Sequence, residues 1–181
     1  MDAPVLVLPG LGNSGPEHWQ TIWERANPGF VRVLQRDWER PERDVWVAAL
    51  EAAVTPCRWP PVLVCHSLGC LTAVHWAGEY EHPVSGALLV APPDADRPDA
   101  SLASRSFRPI PRAPLLFPSI LVASSNDPYV SLERSRELAR AWASRLVDIG
   151  PAGHINAAAG YGAWPEGGRL LSELREAFKP R

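Results

Sequence analysis

Six short runs of the chain are apolar at nearly every position: Val5–Leu8, Phe30–Leu34, Val62–Cys65, Gly86–Ala91, Ser119–Ala123 and Leu146–Ile149. Arg32 in the second run and Asp148 in the last are the charged exceptions. A strand with one wet face alternates apolar and polar residues. A strand buried on both faces, as in a parallel sheet covered by helices, does not. Between the runs the period changes. Trp19, Ile22, Trp23 and Ala26 recur at the spacing of one helix face, as do Trp46, Ala49, Leu50 and Ala53. Leu170, Leu171, Leu174, Ala177 and Phe178 form a third stripe. Pro16 suits the first turn of the first helix, and Pro180 follows the last. Strand and helix in alternation predict a three-layer α/β/α sandwich on a mostly or wholly parallel six-stranded sheet, with right-handed crossovers. At 181 residues, without an internal repeat, the chain reads as a single domain over 1–181.

Residues 92–118 break the pattern with seven prolines and four arginines. A segment of that length without periodicity reads either as a lid over a site or as an extended structural wrap.

Composition excludes more than it proposes. With 18 basic and 20 acidic side chains the net charge is −2, which gives no electrostatic case for nucleic acid or an anionic membrane surface. The apolar runs fall far short of the roughly 20 residues of a membrane-spanning helix. Met1-Asp2-Ala3-Pro4 lacks the basic and apolar regions of a signal peptide. Cys57, Cys65 and Cys70 have no metal-ligand spacing and read as reduced structural thiols. The expectation is a cytoplasmic protein without metal or cofactor.

Candidate chemistry begins where the third run passes through His66-Ser67-Leu68-Gly69-Cys70 into an apolar helical stretch. A serine on a sharp strand-to-helix turn is a nucleophile elbow, in which strand and helix backbones nearly touch and small residues must flank the serine. Gly69 fits; Cys65 stands where glycine is usual. Outside this context the serine would be an ordinary helix N-cap. The Leu68 N–H, in the first turn of the following helix, is placed to hold an oxyanion formed on Ser67.

A serine hydroxyl needs a base to take its proton. Of the five histidines, His66 adjoins Ser67 and should point away from it, His75 lies inside the helix, and His18 and His82 lie elsewhere. His154 follows Gly150-Pro151-Ala152-Gly153, directly after the last run, where the order Ser…Asp…His puts the base. Asp127, in Asn126-Asp127-Pro128 after the fifth run, is the orienting acid, with Asp94 and Asp96 as alternatives. The Gly-rich turn Pro9-Gly10-Leu11-Gly12-Asn13-Ser14-Gly15 after the first run supplies a second oxyanion N–H from Leu11, or else from Gly12. That turn is also a formal G-x-G-x-x-G with Asp37 downstream, the outline of a dinucleotide site. Pro16-Glu17 would then crowd a pyrophosphate with a rigid ring and a negative charge, and Ser67, Asp127 and His154 would go unexplained.

Taken together, Pro9-Gly10 with His18-Trp19, His66-Ser67-Leu68-Gly69, Ser124-Ser125-Asn126-Asp127-Pro128-Tyr129, and Gly153-His154-Ile155-Asn156 running to Gly160-Tyr161-Gly162 and Trp164-Pro165 resemble a known family. It is that of the small serine hydrolases related to retinoblastoma-binding protein nine, a compact branch of the α/β-hydrolases. The resemblance spans nearly the whole chain and implies a triad of Ser67, His154 and Asp127. The expected activity is hydrolysis of an ester, thioester or amide of a small acyl substrate, at a shallow site. The alternative is a non-catalytic protein-binding module on the same scaffold, with 92–118 as its contact surface. No residue pattern supports a protein partner; the Leu-x-Cys-x-Glu motif begins at Leu63-Val64-Cys65 and fails at Ser67.

Overall fold

The computed structural model describes residues 3–176. Ala177 and Phe178 of the last stripe, Pro180, and the first two residues of the N-terminal segment lie outside them.

Six strands, β1 (Val5–Leu8), β2 (Phe30–Arg32), β3 (Val62–His66), β4 (Gly86–Val90), β5 (Ser119–Ala123) and β6 (Arg145–Asp148), form one sheet in the order β2-β1-β3-β4-β5-β6. Every pairing is parallel. Five helices, α1 (Trp19–Ala26), α2 (Arg43–Val54), α3 (Leu68–Glu79), α4 (Leu132–Ala141) and α5 (Pro165–Glu176), cover it.

Side chains alternate across each strand, so the continuous apolar runs feed two cores. Leu6, Leu8, Leu63, Cys65, Leu89 and Leu121 pack with Trp46 and Leu50 of α2, Leu71 and Trp76 of α3, and Leu138 of α4. Val5, Val7, Val62, Val64, Leu88 and Val122 pack with Trp19 and Trp23 of α1 and Leu171 and Leu174 of α5. That is the three-layer sandwich.

The edges depart from the sequence expectation. β2 stops at Arg32 instead of Leu34, which is largely exposed, and β6 begins at Arg145 and ends at Asp148. Each is paired along one side only; β2 lacks the second neighbour that would prolong it, while β6 keeps 4 residues and is shifted by one position. Helix α1 starts at Trp19, later than Pro16 suggests, because the His18 ring accepts the Gln20 N–H and caps it there.

Because β2 lies beyond β1 and β3 returns to its other side, the chain reverses direction across the sheet between β1 and β3. In open parallel sheets the crevice beyond the strand C-termini at such a point receives ligands.

Candidate active site

Ser67 is the only residue between β3 and α3. Its backbone, at φ 54° and ψ −124°, lies in a region that non-glycine residues rarely adopt and that costs about 1–3 kcal/mol. Its N–H donates to the Val90 carbonyl, which ties the turn to β4. Two glycines make room for it. A Cβ on Gly69 would lie 2.1 Å from the Leu8 carbonyl oxygen, and one on Gly10 would lie 2.6 Å from Ser67 Cβ.

Chains from three segments converge on this turn. The Ser67 hydroxyl lies 2.9 Å from His154 Nε2, and His154 Nδ1 lies 2.8 Å from Asp127 Oδ2. A carboxylate can only accept, so the imidazole proton sits on Nδ1 and leaves the Nε2 lone pair for the serine O–H. The other carboxylate oxygen accepts the Tyr129 N–H at 2.9 Å, which fixes its rotation. Both His154 and Asp127 are buried.

The loop bearing His154 is irregular, with left-handed backbone at Gly150, Gly153 and Ile155, and side chains from elsewhere hold it. Ser124 Oγ accepts the Ala152 N–H and Asn126 Oδ1 accepts the Gly153 N–H, joining it to the Asp127 loop. The Trp19 indole donates to the Ile155 carbonyl at 2.9 Å. Trp19 is therefore both core and clamp.

The Leu68 N–H, at the positive end of α3, and the Leu11 N–H, on the turn after β1, donate to none of the described residues. The Gly12 N–H is committed to the Trp38 carbonyl at 2.9 Å, so it is not the alternative donor. The Gly-rich turn is propped from behind. Gln20, fully buried, donates to the carbonyls of Leu8 and Val64 and accepts from Ser14 Oγ. Arg32 reaches Asn13, the Ser14 carbonyl, Thr21 and Glu24. Arg32, a charge inside an apolar run, is the sequence's hint of this support. Gln20 had no such signal.

Other candidates resolve differently. Asp94 and Asp96 pair with Arg134 of α4, at 3.1 and 2.9 Å. Asp37 caps its own turn through the N–H groups of Glu39 and Arg40. His75 bonds the Phe107 carbonyl and His82 bonds Glu51. His66 overturns the expectation that it points away from the site. Its ring lines the same cavity as Ser67, and its Nε2 lies 2.9 Å from the His154 carbonyl oxygen. At the end of a strand buried on both faces, the side chain beside the elbow has the site as its open direction.

The cavity holds about 480 Å³ and is lined by Ser67, Leu68, His18, His66 and His154. Segment 92–118 forms one wall, with Arg97, Ser101 and Ser104 among its contributions. Phe107 and Ile110 anchor the segment in the protein, and the Trp142 indole bonds the Pro111 carbonyl at 2.8 Å. Leu11 and Tyr129 stand half-exposed at the cavity. Burial, and then Arg32 and His154 nearby, bring the His18 pKa down to about 4. Burial, His154 and His18 push that of His66 well below the usual histidine range, against the opposing effect of its bond to the His154 carbonyl.

Among the described residues no group of three or more His, Cys, Asp or Glu side chains could hold a metal ion, and no helix is long and apolar enough to cross a membrane.

The profile of the family described as Serine hydrolase matches residues 5–173. The chain belongs to this family. A solved structure of a YdeN-like hydrolase from Pectobacterium atrosepticum is 38% identical to this serine hydrolase, covers 99% of it and 94% of its own chain, and superposes with a TM-score of 0.89. The ydeN gene product of B. subtilis is 19% identical over 95% of this chain and 98% of its own, with a TM-score of 0.76. Est1E of Butyrivibrio proteoclasticus, solved with ferulic acid bound, shares the fold at 12% identity over 97% of this chain and 88% of its own, with a TM-score of 0.71. No curated protein sequence matches the chain.

Proposed function

We propose that this serine hydrolase cleaves an ester, thioester or amide bond of a small acyl substrate through an acyl-enzyme on Ser67, as a carboxylesterase does. The observation that carries the reading is the unbroken chain from Ser67 Oγ through His154 to Asp127, at 2.9 and 2.8 Å. His154 Nε2 takes the hydroxyl proton as Oγ attacks the carbonyl carbon. Asp127 holds the imidazole in the required tautomer and stabilises the imidazolium that forms. The carbonyl electrons move onto oxygen, where the Leu68 and Leu11 N–H groups receive the charge. Each such donor typically contributes ~10²–10³ in turnover.

Collapse of this intermediate expels the leaving group, which takes the proton from His154. Water then attacks the acyl-serine by the same route in reverse, giving acid and free enzyme. The cavity of about 480 Å³, open at Leu11 and Tyr129, suits a small acyl group.

A panel of acyl esters, thioesters and amides tests this. Hydrolysis of at least one class that disappears in Ser67→Ala is expected. A folded wild type inert to the whole panel, with no acyl-enzyme trapped, would favour the binding-module alternative.

A further inference from the structure

The base sits on an irregular loop, while the nucleophile is locked into the sheet. Catalysis requires the two to keep a fixed distance, so something must couple loop to elbow. Besides its bonds to Asp127 and Ser67, three contacts grip His154. Tyr129 packs edge-on against its ring, with centroids 4.5 Å apart, and the His66 ring lies 4.9 Å away. The third contact is polar: the His66 Nε2–H donates to the His154 main-chain carbonyl at 2.9 Å.

His66 is the residue immediately before Ser67, and its partner is the backbone of the base itself. This bond spans 88 positions in sequence and is fully buried. His66 is in turn held by His18, whose ring stands at 65° to it with centroids 4.7 Å apart. The His18 ring cannot swing freely, because its Nδ1 accepts the Gln20 N–H.

Resting on the triad reading above, we propose that His66 is a positioning residue for the Ser67–His154 pair, its Nε2–H clamping the base's backbone to the nucleophile turn. The clamp also has the right charge. A cation at residue 66 would oppose the imidazolium that must form about one ring away during turnover. Burial keeps His66 neutral, so it donates without repelling.

The test compares His66→Gln with His66→Asn. The two share chemistry and both lose the ring packing. Only glutamine carries an amide nitrogen far enough from the backbone to replace Nε2; the asparagine nitrogen falls near the position of Nδ1. Each variant is checked by circular dichroism, and kcat and KM are measured on folded protein.

His66→Asn is expected to lose about tenfold to a hundredfold in kcat, the scale of a misplacement near 1 Å, with KM little changed. His66→Gln is expected to keep most of the wild-type kcat. The far-downfield proton resonance of the His154–Asp127 bond should persist in wild type and His66→Gln and broaden in His66→Asn. Equal kcat in the two variants, whether high or low, overturns the clamp while an active wild type leaves the triad standing. A folded wild type that takes no serine-directed label overturns the triad and the clamp together.

Discussion

Protonating His18 should destabilise this protein measurably, and the cost can be worked from its setting. The ring is 5% exposed, its Nδ1 already accepts a main-chain N–H, and its pKa falls from the usual 6.5 to about 4. A histidine with a lowered folded-state pKa binds its proton more weakly in the fold than in the unfolded chain. Above pH 6.5 neither state is protonated and there is no penalty. Between pH 6.5 and 4 the unfolded state gains the proton and the folded state resists it, so stability falls. Every tenfold weakening of proton affinity corresponds to about 1.4 kcal/mol, so by pH 4 the loss reaches about 3 kcal/mol. His66 and His75, also lowered, push in the same direction, so the wild-type curve alone cannot isolate His18. His18→Asn can. Its Oδ1 takes over the cap on Gln20 and its side chain does not titrate. Urea unfolding of both proteins from pH 7 to pH 4 should show wild type losing about 3 kcal/mol more than the variant. A gap between the two that stays constant across that range would show that His18 carries no such penalty.

Other changes have equally definite outcomes. Asp127→Asn should leave the fold intact and cut kcat by about 10⁴, because the amide favours the wrong imidazole tautomer; steady-state kinetics on the best ester checks it. Gly69→Ala would press a methyl group into the Leu8 carbonyl in a rigid turn and should lower the thermal midpoint by the equivalent of about 3 kcal/mol, the upper end of the usual overpacking range. Gln20→Leu strips the buried Leu8 and Val64 carbonyls of their side-chain donor and should cost about 1–3 kcal/mol for each carbonyl left unsatisfied, read by urea unfolding.

The fold was readable because both faces of the central strands are covered, so Val62–His66 and Gly86–Val90 are apolar with little interruption. The same rule misjudges edges: Val33 and Leu34 extend the apolar run although no second neighbour extends β2. At the site, the chain order of serine, acid and base singled out Ser67, Asp127 and His154, which the fold brings within hydrogen-bonding distance.

The supports were not readable. Gln20, Ser124, Asn126 and His66 act through main-chain partners distant in sequence or on neighbouring loops, and a lone polar residue does not show which backbone it will meet. Arg32 came closest, because a charge inside an apolar run must find partners.

Hydrolysis as proposed requires the Ser67 hydroxyl to be made nucleophilic by His154. Folded wild-type protein treated with a fluorophosphonate and analysed by peptide mass spectrometry measures that directly. One adduct, on Ser67, that disappears in Ser67→Ala and forms far more slowly in His154→Ala is the predicted result. An unlabelled folded protein, or an adduct on a different residue, would contradict it.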